Sequence, residues 1–192
     1  MQISKKGNKN KIIAIITGPS AVGKTTIAKE LLKKLKNFKP STTYTTRPKR
    51  KSSSEDKVMH YVNENKFREL IDNDELIEWA QVYGNFYGTS RLALTETLKT
   101  HNVLLNIDVQ GAKIIKKKFP RNISVFILPE KIEDIETRLT ARKDMPLAIK
   151  KRRLAASKEE MAQADEFDYQ VINYDNHLEI ALDKIAKILK KY

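Results

Sequence analysis

The chain has 192 residues, with 37 Lys and Arg against 24 Asp and Glu, a formal net charge of +13, 40% hydrophobic and 32% charged residues, and no cysteine. This suits one folded core with small inserts and excludes a disulfide-stapled scaffold and a thiolate metal site. The longest apolar stretch, residues 12–16, is far short of the roughly 18 residues that cross a bilayer, and residues 1–11 lack the apolar segment of a secretory signal, so no membrane partner and a cytoplasmic location are expected.

Residues 12–17 form a β-branched run before Gly18-Pro19 and predict a buried strand; residues 25–35 have the i, i+3, i+4 spacing of an amphipathic helix. Residues 41–90 are rich in Ser, Thr, Arg and Lys, with strand candidates near 42–44, 58–62, 77–82 and 85–87 and one helix over 66–73. Alternation then resumes: helix 92–99, strand 103–107, helix 111–118, strand 123–128, helices 132–142 and 147–161, strand 169–172 and helix 177–190. Strands alternating with helices predict an α/β fold, a parallel sheet flanked by helices. Residues 1–40, 91–137 and 168–192 would form its core, 41–90 a small β-rich inserted subdomain and 138–167 a charged helical lid.

Gly18-Pro19-Ser20-Ala21-Val22-Gly23-Lys24-Thr25 fits the P-loop pattern in full, after an expected strand and at the opening of an expected helix, with Thr26 next in line. Glycines let backbone N–H groups turn toward phosphate oxygens, Lys24 reaches the β- and γ-phosphates, and the Thr25 hydroxyl suits Mg²⁺. This predicts a site for ATP and Mg²⁺ and leaves the reaction open. Downstream, Arg47 and Arg50 lie three residues apart in a turn beside hydroxyls, a pair suited to bidentate capture of a phosphate dianion.

Together with Ile77-Glu78-Trp79-Ala80, Gly84-Asn85-Phe86-Tyr87-Gly88-Thr89 and Asn106-Ile107-Asp108-Val109-Gln110-Gly111, these blocks resemble the guanylate kinase family, in family order from residue 12 to about 175. The resemblance implies a P-loop fold and transfer of the γ-phosphoryl group of ATP to GMP. Arg47, Arg50 and Tyr87 would hold the GMP phosphate, with Gly88 and Thr89 beside them. Glu78 and Asp108 would accept from guanine N1–H and the 2-amino group, and Thr43 would face O6. Arg138, Arg142 and Arg153 match lid arginines that would close on the triphosphate, and Asn173 falls in the family's late strand on the ATP side. Partners would be these small molecules, with no nucleic acid, in a monomer or homodimer. Blander roles compete: Glu78 as a solvent-facing strand residue, Asp108 as a cap of the following helix, Tyr87 as core, Arg138 and Arg142 as surface ion-pair formers.

The sequence departs from the family at four places, one of them Lys51-Ser52-Ser53-Ser54-Glu55-Asp56, which replaces the usual Gly-Glu and following Gly. Met59 stands where a second phosphate-binding tyrosine is usual, leaving either Tyr61 as its substitute or the arginines and Tyr87 alone. Asn106 replaces an aspartate beside the expected Mg²⁺ site, where an amide oxygen is a weaker, neutral ligand. Lys143, Asp144, Met145 and Pro146 replace the usual glycine and acidic residues of the lid. A kinase of altered acceptor preference, a binding module without catalysis and a nucleic-acid binder are the competing functions. An intact Lys24 and Thr25 argue against the second, and only net charge favours the third.

Overall fold

The computed structural model describes residues 11–49, 58–141 and 146–192. Strand β1 (Ile13–Thr17) is buried along its whole length, as a continuous β-branched run requires at the centre of a parallel sheet covered on both faces. After it come helix α1 (Lys24–Lys34) and strands β2 (Phe38–Pro40), β3 (Thr43–Thr45) and β4 (Met59–Tyr61). Helix α2 (Glu64–Asp72), strands β5 (Leu76–Val82) and β6 (Asn85–Ser90) and helix α3 (Arg91–Leu98) follow. The remainder is β7 (Asn102–Asn106), α4 (Val109–Lys118), β8 (Asn122–Pro129), α5 (Ile132–Thr140), α6 (Leu147–Met161), β9 (Tyr169–Asn173) and α7 (Leu178–Leu189).

Five strands in the order β2-β7-β1-β8-β9, all parallel, make the main sheet. Period-two alternation divides β1 between two cores. Ala14 and Ile16 face α1 and α7, packing with Ile27, Leu31, Leu182 and Ile185. Ile13 and Ile15 face α3 and α4, packing with Leu94, Ala112, Ile115 and Phe126. The short strand β2 was not expected from the sequence: three residues, one of them proline, carry no periodicity, and the sheet edge is where proline is tolerated.

A second sheet of four strands, in the order β4-β3-β6-β5, is built from residues 43–90. Its core is Phe67, Leu70 and Leu76, with α2 laid over Gly88, where a Cβ would come within 2.7 Å of Leu76 Cδ1 and 3.2 Å of Phe67 Cζ. Helix α2 begins earlier than its apolar pattern suggests because Asn63 Oδ1 accepts the Lys66 N–H at 2.8 Å, a side-chain cap. Helix α5 ends at Thr140 with Ala141 as its C-cap, short of the expected end at 142, a residue outside the described ones. Among the described residues no helix is long and apolar enough to cross a membrane.

Candidate active site

The loop between β1 and α1 is held by backbone geometry that side chains would obstruct. Gly18 has φ 138°, and a Cβ there would sit 2.4 Å from the Ile127 carbonyl oxygen on β8. Gly23 caps α1 at φ 101°, with a hypothetical Cβ 2.6 Å from Asn173 Nδ2. That amide donates to the Val22 carbonyl at 2.8 Å, and Arg138 Nη1 donates to the same oxygen at 3.1 Å. Lys24 Nζ donates to the Gly18 and Pro19 carbonyls, both at 2.7 Å, and so lies folded along its own loop. Asn106, at the end of β7, donates from Nδ2 to Thr25 Oγ1 at 3.2 Å. The Thr25 hydroxyl and the Asn106 amide carry neutral oxygens of the kind that suits Mg²⁺, an ion that keeps several waters and takes the rest of its shell from substrate phosphates, although it is the amide nitrogen that faces Thr25. Among the described residues no group of three or more His, Asp or Glu could hold a metal by itself.

The loop opens onto a cleft of about 190 Å³, whose far wall is the second sheet. Lys24, Thr25, Thr43, Arg47, Glu78, Tyr87, Asn106, Asp108 and Arg153 all line it, from opposite ends of the chain. Glu78 is 4% exposed and not solvent-facing. A register shift between Leu76 and Glu78 in the β5–β6 ladder breaks strict alternation, so that Leu76, Ile77 and Glu78 are buried in succession. Its Oε1 accepts from the Thr89 hydroxyl at 2.5 Å. Burial pushes the Glu78 carboxyl up to about 7, the Asp108 charge adds to the rise, and the Thr89 hydroxyl and Lys118 oppose it.

Asp108 performs the bland role as well as lining the cleft. Its Oδ1 accepts the N–H groups of Gln110 at 2.8 Å and Gly111 at 3.1 Å, capping α4. Its Oδ2 remains beside Glu78 Oε2: a Cβ on Gly111 would lie 3.4 Å from the first and 2.5 Å from the second. Two acceptors therefore converge over a glycine at the start of a helix.

Arg47 is buried, with Nη2 3.7 Å from Met59 Sδ and its guanidinium carbon 5.8 Å from the Tyr61 ring centroid. Met59 lines the cleft and Tyr61 does not, so the suggestion that Tyr61 takes the missing tyrosine's place meets a geometric obstacle: its ring lies beside Arg47 and its hydroxyl is buried. Gly88 and Thr89 stand behind the wall, the first beneath α2 and the second behind Glu78. Pro19, Val22, Gly23 and Asn173 support the loop from outside the cleft, and Thr26 is exposed away from it. Arg138 also stays off the cleft wall, paired to Asp175 by its Nε at 3.0 Å and to the loop carbonyls. Arg50 and Arg142 lie outside the described residues.

Tyr83 and Glu160 line the cleft without having been singled out in the sequence. Tyr83 belongs to the tight β5–β6 turn, and its hydroxyl donates to Glu160 Oε1 at 3.4 Å. The Arg153 guanidinium carbon lies 4.7 Å from the Tyr83 ring centroid, and Arg153 Nη1 donates to Ser20 Oγ at 3.4 Å. A lone tyrosine in a turn carries no motif; the available signal was the seven-residue spacing of Arg153 and Glu160, which puts both on one helix face.

A sequence model of the guanylate kinase family matches residues 10–192. A guanylate kinase of Aromatoleum aromaticum is 39% identical over 179 residues, 93% of this chain and 87% of that relative. One of Prochlorococcus marinus subsp. pastoris is 40% identical over 181 residues, 94% and 97% of the two chains. Among solved structures, the guanylate kinase from Anaplasma phagocytophilum superposes with a TM-score of 0.77 at 30% identity, covering 94% of this chain and 85% of that one.

Proposed function

The chain belongs to the guanylate kinase family and phosphorylates GMP at the expense of ATP, and from that premise we propose how its cleft divides the work. The 18–25 loop binds the ATP phosphates, with Lys24 leaving its own carbonyls for the β- and γ-oxygens. Thr25 and Asn106 would hold Mg²⁺, which when bound offsets negative charge on the phosphates. Residues 41–90 bind the acceptor: Arg47, Arg50 and Tyr87 take the GMP phosphate, and Glu78, Asp108 and Thr43 take guanine. Residues 138–167 act as the lid and bring Arg153 to the triphosphate, Arg142 being a second lid arginine by the family pattern alone, while Arg138 stiffens the loop through its carbonyls.

An oxygen of the GMP phosphate attacks the γ-phosphorus, the bond from that phosphorus to the β–γ bridging oxygen breaks, and ADP leaves with that electron pair. The protein supplies no nucleophile. It aligns the two phosphates, excludes water and surrounds the spreading negative charge with Lys24, Arg47 and Arg153. The observation that carries this reading is the convergence of Glu78 and Asp108 in the cleft that also contains Lys24. Guanine offers donors at N1 and the 2-amino group, whereas adenine offers neither and would give the cleft-facing carboxylate oxygens no donor.

The test is a coupled assay of ADP formation with ATP·Mg²⁺ and a panel of GMP, dGMP, AMP and IMP, run on the wild type and on Glu78→Gln. The wild type should prefer GMP to AMP strongly, and the substitution should reduce that preference about tenfold or more. Unchanged discrimination in the variant would remove Glu78 from the specificity site.

A further inference from the structure

Tyr83 has no role in the phosphoryl transfer just described, yet it joins the two parts of the molecule that must meet for transfer. It sits at φ 51° beside Gly84 at φ 82° in the two-residue turn between Val82 and Asn85, a left-handed pair that matches the twist of a hairpin. The strands it joins carry Glu78 and Tyr87 on the acceptor side. Its own side chain leaves that sheet and meets α6 at two points on one face, about two turns apart: the ring under Arg153 at 4.7 Å, and the hydroxyl at Glu160 Oε1 at 3.4 Å. Arg153 is 9% exposed, so the stack is largely out of water, where a cation over an aromatic face is strongest. From that position the same guanidinium reaches Ser20 of the phosphate loop.

We propose that Tyr83 is a positioning residue that holds Arg153 over the phosphate loop, so that the acceptor hairpin sets where the lid arginine sits. The inference rests on Arg153 serving the triphosphate, as set out above. The ring supplies the hold, and the hydroxyl contact with Glu160 fixes its tilt. Arg153 has four rotatable side-chain bonds, and without the ring it samples many placements, few of which meet the transferring group.

The experiment is a double-mutant cycle on kcat and on the KM for each substrate, with thermal melts to select a temperature at which every variant is folded. The variants are Tyr83→Phe, Tyr83→Asn, Arg153→Ala and the Tyr83→Asn/Arg153→Ala double, asparagine being chosen because it tolerates the left-handed backbone. Tyr83→Phe should retain kcat within about threefold. Tyr83→Asn should lower kcat about tenfold with little change in either KM, and the double variant should match Arg153→Ala alone, since Tyr83 acts only through that arginine. Two independent losses that multiply would overturn the proposal, as would full turnover of Tyr83→Asn beside a slow Arg153→Ala. If asparagine unfolds the hairpin, Tyr83→Gly, which takes the left-handed backbone without strain, is read in the same cycle with the same criteria. Near-normal turnover of Arg153→Ala would instead remove Arg153 from the triphosphate site, and the inference with it.

Discussion

At the residue scale the buried pair of carboxylates governs behaviour with pH. Glu78 is raised from 4.5 to about 7 mainly by burial, so the folded protein binds a proton that the unfolded chain has already released. Stability should therefore fall as pH rises from 4.5 to about 7 and level off above it, a loss on the order of 3 kcal/mol without substrate. Glu78→Gln should lack that slope in urea melts across the same range. GMP needs the ionised acceptor, so its binding should release protons near pH 6.5, read by calorimetry as a heat that depends on the buffer's ionisation enthalpy. Gly111→Ala should separate the site from the fold. The substituted methyl would crowd Glu78 Oε2 from 2.5 Å while improving helix propensity. The KM for GMP should rise about tenfold, with a Tm that falls by no more than a few degrees because helix propensity offsets part of the crowding; an unchanged KM would contradict this. Glu78 and Asp108 were legible as a pair from the family blocks, but the inward turn of Glu78 depends on a register shift that alternation does not announce.

At the scale of elements, the sequence revealed long periodic segments and concealed short or coupled ones. Strand β1 and helices α1 and α7 announce themselves by spacing, whereas β2 is recognised only through its pairing with β7. Asp168 is a further case: nothing local marks it, yet it joins three elements just before β9. Its carboxylate accepts from the Ser124 N–H at 2.8 Å and hydroxyl at 2.6 Å on β8, and from Lys116 on α4 at 2.8 Å. Burial would raise this carboxyl, but the Lys116 ammonium and the Ser124 donors outweigh it and hold it below the usual aspartate range. That stabilisation is present above the ordinary aspartate value and is lost as pH falls through the lowered one. Asp168→Ala should cost about 1–3 kcal/mol, lowering Tm by roughly 2–12 °C, with a shallower loss of stability in acid. An unchanged melt would show that the three elements are held without it.

For the whole molecule, the cleft lies between two sheets that touch through Ile77 of β5, which packs into the core around Ile13, Leu94 and Ile115, and the groups that line the cleft come from both. The second sheet keeps a core of its own in Phe67, Leu70 and Leu76, so a tilt about the Ile77 contact leaves most of its packing in place. Adding GMP together with a non-hydrolysable ATP analogue and Mg²⁺ should reduce the radius of gyration in solution scattering, more than either nucleotide alone. An unchanged radius would mean that the cleft works without closing. Strand alternation and the P-loop foretold the main sheet; the meeting of Tyr83 with α6 is a product of topology, invisible to any local pattern.

One contact also orders events in time. The phosphate loop is complete as sequence by residue 25, but its Val22 carbonyl is anchored by Asn173, 151 residues later and at the end of the strand that closes the sheet. A ribosome adds about 5–20 residues per second, so for many seconds a growing chain carries the pattern of a nucleotide site without the anchor that shapes it. Chains released early, before β9 has joined the sheet, would lack that brace.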